Sequence, residues 1–307
     1  MKIAIIGRTE ILFHCVNLLL ERHYRIPLII TAEEAPEYTK TSKDFQELAH
    51  KIGAKFICSN KLNKYIDDIK DAHCDIAVSL NYSSIIPQNI IDLFRLGILN
   101  AHGGDLPRYR GNACQAWAII NGEDKIGLCI HSMIGGEVDS GNIIARSYMN
   151  IDLDTKVTEC WEWMARQIPV LFLQAIGELQ QNPGYILEVQ SKDPKNALRC
   201  YPRIPEDGKI DWTLSNIEIL RLINASNKPY HGAYCLYNNT MLKIWDAKLY
   251  EDDECYLSLV GQIAQINSDG SIIVICGRGK LKINTIETNG YIGSPSQIVK
   301  SIRIRMQ

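Results

Sequence analysis

Asn100 and His102 stand two residues apart at the end of an apolar run, and Gly103, Gly104, Asp105, Leu106, Pro107, Arg108, Tyr109, Arg110 and Gly111 follow them. In an extended segment residues i and i+2 share a face, so the amide and the imidazole converge on one small volume. A neutral amide N–H suits a developing oxyanion, and an imidazole moves protons near neutral pH. The glycines bare the backbone to a substrate. A second polar loop, Gly135-Gly136-Glu137-Val138-Asp139-Ser140-Gly141, brings a carboxylate. If its strand runs parallel to the first, Asp139 reaches His102, orients the ring and favours imidazolium, the base-and-orienter arrangement of acyl transfer. An Asn-x-His pair alone is equally compatible with an ordinary polar turn.

The elements that must position these groups are readable. The runs KIAIIG, RIPLIITA, KFICS, CDIAVSL and GILNAH read as buried strands, and helical spacing separates most of them, as in ILFHCVNLLLERH and SKDFQELAHKIG. Such alternation predicts an α/β fold: a Rossmann-like, open, mostly parallel sheet with helices on both faces. Ligands of these sheets gather at the carboxyl ends of strands, where Asn100 and His102 fall. KIGLCIHSMI is the next strand, with His131 on it read as a satisfied core histidine, and residues 155 to 181 carry a long helical pattern. The texture changes at YPRIPEDGKIDW, after which short strands with turn signals at Asn238-Asn239 and Asp269-Gly270 predict a smaller β-rich, OB-like barrel domain. The expected division is a catalytic domain over 1–200 and a β-rich domain over 201–307.

Composition narrows the classes. A chain of 307 residues with 46% hydrophobic residues forms a sizeable core without staples. The ten cysteines include no Cys-x-x-Cys, so neither a zinc site nor a disulfide framework is expected. The first turn, IIGRTEI, lacks the Gly-x-Gly-x-x-Gly of dinucleotide binding. A formal net charge of −2 gives no basic field for nucleic acid. No apolar stretch reaches membrane length, and Met1-Lys2 runs straight into a strand pattern, so a cytoplasmic location is expected.

NAHGGDLPRYRG followed by NGEDKIGLCIHSMIGGEVDSGNII resembles the 10-formyltetrahydrofolate-dependent formyltransferase family, whose hallmarks are an Asn-x-His pair, a Leu-Pro-x-x-x-Gly segment and a later Asp-x-Gly loop. PRIPEDGKIDW and KPYHGAYCLYNNTMLKIW are similar to the connection and C-terminal domain of its two-domain members. The resemblance implies N10-formyltetrahydrofolate as formyl donor and no metal. It implies that Asn100 and His102 stabilise the tetrahedral oxyanion, that His102 shuttles the amine's proton, and that Asp139 holds His102. SLNYSSIIP resembles the folate-lining segment, so Asn81, Tyr82, Ile85, Ile86 and Pro87 are expected at the donor, with Leu106, Gly136 and Glu137.

The acceptor is expected to be the amino group of a nucleotide-linked aminodeoxy sugar, as in surface-glycan synthesis. Asp105 stands where the family usually has Leu, and Glu33, Glu34 and Glu37 occupy a region that is longer and basic in the enzymes acting on methionyl-tRNA. Asp105, Arg108, Tyr109 and Arg110 are therefore expected to contact the acceptor, the arginines at its diphosphate. Trp117, Tyr201 and Tyr230 are stacking candidates or core residues, and His231 has no assigned role. No nucleic-acid or membrane partner is expected, and the C-terminal strands are compatible with a homodimer. The alternatives are methionyl-tRNA formyltransferase and a non-catalytic folate- or nucleotide-binding module.

Overall fold

A computed structural model describes residues 1–35 and 38–307. In chain order the elements are β1 (Lys2–Gly7), α1 (Glu10–Glu21), β2 (Arg25–Thr31), α2 (Ser42–Ile52), β3 (Lys55–Cys58), α3 (Ile66–Asp71), β4 (Ile76–Leu80), α4 (Gln88–Ile91) and β5 (Ile98–His102). Then come β6 (Tyr109–Gly111), α5 (Cys114–Asn121), β7 (Lys125–Ser132), β8 (Ile143–Asn150), α6 (Val157–Gln181) and β9 (Leu198–Cys200). The remainder holds α7 (Asn216–Ala225), β10 (Ala233–Tyr237), β11 (Thr240–Tyr250), β12 (Ile263–Ile266), β13 (Ile272–Ile275), β14 (Lys280–Thr288) and β15 (Tyr291–Gly293).

Two compact units result. The first comprises 1–111, 127–149 and 162–200, and the second 112–126, 150–161 and 201–307. The first is built on a seven-stranded sheet of order β3-β2-β1-β4-β5-β7-β8. Its central strands are apolar over most of their length because both faces are covered: Ile3, Ile5, Ile6, Leu28, Ile29, Ile30, Ile76 and Val78 are all inaccessible to solvent. Local signals start and stop the helices as their chemistry requires. Thr41 and Asp44 form a capping box at α2, and Gly53 ends that helix at φ 69°, in the left-handed region that glycine enters freely.

The pairs β1–β2, β2–β3, β1–β4 and β4–β5 are parallel. The next pair differs from expectation: β7 runs antiparallel to β5, with Asn100 opposite His131 and His102 opposite Cys129. The run from 125 to 132 is as apolar as a parallel core strand, so its burial pattern carries no direction. The connection through β6 and α5 returns the chain so that β7 enters the sheet from the other end.

The second unit is antiparallel. Its six-stranded sheet has the order β10-β11-β14-β13-β12, with β15 on β14. Ile219, Leu220 and Ile223 of α7 pack with Ile244, Ile283 and Ile286 in its core. Among the described residues no helix is long and apolar enough to cross a membrane.

Candidate active site

The strand pair β5–β7 sets the first polar contact. Asn100 and His131 face each other across the ladder, and Asn100 Nδ2 lies 3.2 Å from His131 Nε2. Two residues on, His102 presents Nδ1 at 3.4 Å from Asp139 Oδ2, while His131 Nε2 lies 3.4 Å from Asp139 Oδ1. One carboxylate thus serves two imidazoles whose rings meet edge to face at 6.3 Å. His102 and His131 are buried, whereas Asn100 and Asp139 are half-buried.

Asp139 does not arrive as the loop of a parallel neighbour. It lies in the 133–142 segment between β7 and β8, which folds back, and Ser132 donates its N–H to Asn142 O at 2.9 Å. Asp139 itself is at φ 51°. Three anchors fix it. The N–H of Gly111 donates to Oδ2 at 3.1 Å, and buried Gln190 donates through Nε2 to the carbonyls of Asp139 and Gly141 at 3.0 and 2.5 Å. Gly111 has φ 108°, and a Cβ there would lie 2.3 Å from Cys200 O, so only glycine permits the β6–β9 pairing that presents this N–H.

Electrostatics correct the expected protonation. Burial depresses the pKa of His102, and Asp139 offsets that only in part, so the resting ring is neutral rather than imidazolium. Burial opposes ionisation of Asp139 too, but the attraction of either neighbouring imidazole once it takes up a proton, together with the Gly111 N–H, outweighs it and holds the carboxyl well below the usual range. His102 Nε2 donates to Tyr109 O at 2.8 Å, since a carbonyl only accepts. The lone pair at Nδ1 therefore faces a carboxylate, which is a proton-accepting arrangement.

The other expected residues are placed as follows. Asp105 is engaged within the unit: Arg146 NH1 donates to it at 2.5 Å and Tyr148 OH at 3.0 Å. Arg146 also donates through NH2 to Leu106 O at 2.7 Å and pairs with Glu188 at 2.9 Å. Arg110 NH2 donates to Gln190 at 3.1 Å, and exposed Arg108 lies over the Tyr109 ring at 5.3 Å. Tyr109 and Leu106 are buried. In the 81–87 segment Ile85 is 67% exposed whereas Ile86 is buried, so of these two isoleucines Ile85 is the one that offers apolar surface to a ligand. Tyr82 donates its OH to Ser59 O at 2.5 Å, the Asn81 carbonyl accepts from Arg8, and Pro87 is the N-cap of α4. The two segments expected at the donor meet, because Gly135 N donates to Gln88 Oε1 at 2.8 Å. Gly136 has open space at its Cβ position, and Glu137 accepts from Ser140 at 2.5 Å.

In the second unit Trp117 donates to Tyr201 O, Arg203 lies 5.9 Å from the Trp117 ring and 5.6 Å from that of Tyr230, and His231 is exposed. Glu34 accepts from Ser42 N, the Glu33 carbonyl accepts from Arg8, and Glu37 lies outside the described residues. Among the described residues no group of three or more His, Cys, Asp or Glu is arranged to hold a metal.

Gln190 and His131 join the site without having been expected there. Gln190 gives no local signal, lying 51 residues from the carbonyl it holds. His131 is buried as expected, but its Nε2 faces site groups.

An open α/β sheet that ends one strand in an amide and an imidazole and closes a carboxylate loop onto them is an arrangement suited to group transfer of the acyl type. The sequence matches the formyl transferase family over residues 1–176 and the formyl transferase C-terminal domain over 203–302, so the chain belongs to the formyl transferase family. It is accordingly a formyltransferase, an enzyme of folate-dependent one-carbon transfer. It is 29% identical to methionyl-tRNA formyltransferase of Clostridioides difficile over 94% of this chain and 89% of that one. It is 27% identical to methionyl-tRNA formyltransferase of Alkaliphilus oremlandii over 94% and 93%. Among solved structures, an N-formyltransferase of Helicobacter canadensis, in complex with folinic acid and dTDP-3-aminofucose, superposes with a TM-score of 0.69 at 18% identity, covering 92% of this chain and 98% of that one.

These findings overturn the expected aminosugar acceptor. The curated relatives at 25–29% identity over nearly the whole chain are methionyl-tRNA enzymes, whereas the Helicobacter protein at 18% shares the fold alone. Two physical premises also fail. The acid at 105 is matched by Arg146 inside the unit, so it needs no special acceptor to explain it. A net charge summed over the chain is silent on any local basic face, so it did not exclude nucleic acid.

Proposed function

We propose that this chain moves the formyl group of N10-formyltetrahydrofolate to the amino group of methionyl-tRNA. The observation that carries this reading is the likeness to methionyl-tRNA formyltransferases along 94% of the chain, through both units. A surface feature of the second unit supports it: exposed Lys228 lies 5.7 Å from the half-buried Trp245 ring, whose indole N–H and neighbouring Lys243 are both held by Glu287, so Lys228 supplies the cation of an aromatic patch suited to phosphate and base.

In this reading the amine nitrogen attacks the formyl carbon and the bond from that carbon to N10 breaks. The amine's proton ends on N10 of the departing tetrahydrofolate, so atoms balance without water or an oxidant. Asn100 donates an N–H to the carbonyl oxygen as it gains charge. Neutral His102 accepts the amine's proton, and Asp139 stabilises the imidazolium so formed. Exposed Ile85 and the uncovered surface at Gly136 flank the donor, where the two loops joined by the Gly135–Gln88 bond give it a fixed wall.

The test is incubation with N10-formyltetrahydrofolate and initiator methionyl-tRNA. Formyl-methionyl-tRNA is expected in equal amount to tetrahydrofolate. Unformylated tRNA at micromolar enzyme, with a donor shown to be competent in a control reaction, would sink the reading.

A further inference from the structure

We propose that His131 is a positioning residue that fixes the face Asn100 turns to the substrate. Nothing in an Asn-His-Asp account requires it. His131 is only 2% exposed, yet its ring touches both Asn100 and Asp139.

His131 Nδ1 lies 2.9 Å from the carbonyl oxygen of Ser132. A carbonyl only accepts, so Nδ1 carries a proton. In the neutral ring Nε2 is then an acceptor, and the group 3.2 Å away from it is the Asn100 amide nitrogen. The amide has two N–H donors and one carbonyl. With one N–H spent on His131, the amide plane is fixed and the second N–H is aimed away from the ladder. The Asp139 carboxylate reinforces the choice: its Oδ1 is 3.4 Å from the same Nε2, too long for a strong charge-assisted bond, and its negative field draws the N–H end of the amide and repels the carbonyl end. Turning the amide over would set its carbonyl against both the Nε2 lone pair and the carboxylate. The chain Ser132 O, His131, Asn100 therefore selects the orientation in which Asn100 is a donor to the oxyanion, and strand register supplies it, because Asn100 and His131 are direct cross-strand partners.

This inference rests on the formyl-transfer reading only for one of its measurements. His131→Gln keeps an acceptor near the Nε2 position, and His131→Asn keeps a polar group near Nδ1 but withdraws it from Asn100. With N10-formyltetrahydrofolate as donor, and methionyl-tRNA and water as separate acceptors, His131→Asn is expected to lower kcat by roughly ten- to a hundredfold, less than outright removal of an oxyanion donor. KM for the donor should stay within about threefold and His131→Gln should recover most of kcat. Imidazole nitrogen NMR of the ligand-free protein, with the His131 signals assigned by their loss in His131→Gln, is expected to show the Nδ1–H tautomer. A Nε2–H tautomer overturns the proposal. So does His131→Asn with kcat within about threefold of wild type, or a kcat loss equal in both variants and proportional to lost folded protein. If methionyl-tRNA is not turned over, the acceptor reading fails, while the tautomer and the water reaction still decide on His131.

Discussion

Replacing Asp139 with Asn is the most direct probe of how the site handles its proton. The change is isosteric, and Asn Oδ1 can still accept the Gly111 N–H that now reaches Oδ2 at 3.1 Å, so the 133–142 loop should hold. What disappears is the charge 3.4 Å from His102 Nδ1. Opposite unit charges roughly 4 Å apart attract by about 4 kcal/mol at an effective dielectric of 20. That corresponds to about a thousandfold in kcat if the imidazolium is fully formed in the transition state. KM for N10-formyltetrahydrofolate should stay within about threefold, because the lost interaction strengthens only as the proton moves. The sign of the pH effect is a second check. Burial already lowers the His102 pKa, and Asp139 is what raises it, so the acid limb of kcat should lie below the ordinary histidine value and move lower still in Asp139→Asn. Because the folded ring is held neutral, its contribution to stability is complete above about pH 6.5 and is lost as pH falls below that. A kcat within about tenfold of wild type, or an acid limb that moves to higher pH, would mean that Asp139 does not stabilise a His102 imidazolium.

Three further outcomes follow from particular contacts. Arg146→Met leaves Asp105 and Glu188 without their shared cation and should cost about 3 kcal/mol in urea denaturation; a loss under about 1 kcal/mol would mean that the pair is well solvated. Gly111→Ala sets a Cβ against Cys200 O and should lower stability by about 2 kcal/mol or more, with kcat falling as the Gly111 N–H leaves Asp139; an unchanged melting temperature contradicts that close approach. Lys228→Glu should raise KM for methionyl-tRNA and flatten its salt dependence while leaving KM for the donor alone; an unchanged salt slope would remove Lys228 from the acceptor surface.

The placing of Asn100 and His102 at the end of a strand was legible because an apolar run stops there, and the α/β and β-rich elements were legible because their burial periods differ. It could not disclose the direction of β7. Ile126, Leu128, Cys129 and Ile130 are buried on both faces of the sheet, and such a run reads the same in either sense. The role of His131 was hidden with it, since only the antiparallel register places that ring opposite Asn100. Gln190 was hidden for another reason: it reaches Asp139 through a long excursion that includes α6, and a single glutamine in a polar segment has no pattern. Asp105 misled because its partner Arg146 is 41 residues away and unpaired acids look functional on paper.

The cross-strand placement of Asn100 and His131 also bears on which changes of length this enzyme can survive. Side chains alternate along a strand, so adding or deleting one residue between Ile126 and Ile130 would turn His131 to the opposite face of the sheet while leaving composition almost unchanged. The same edit within the 133–142 segment meets no such parity rule. That segment has only to bring Asp139 back to the Gly111 N–H and its carbonyls to Gln190. Length variation among descendants of this chain should therefore accumulate in the loop that carries the acid and be excluded from the strand that carries the second histidine.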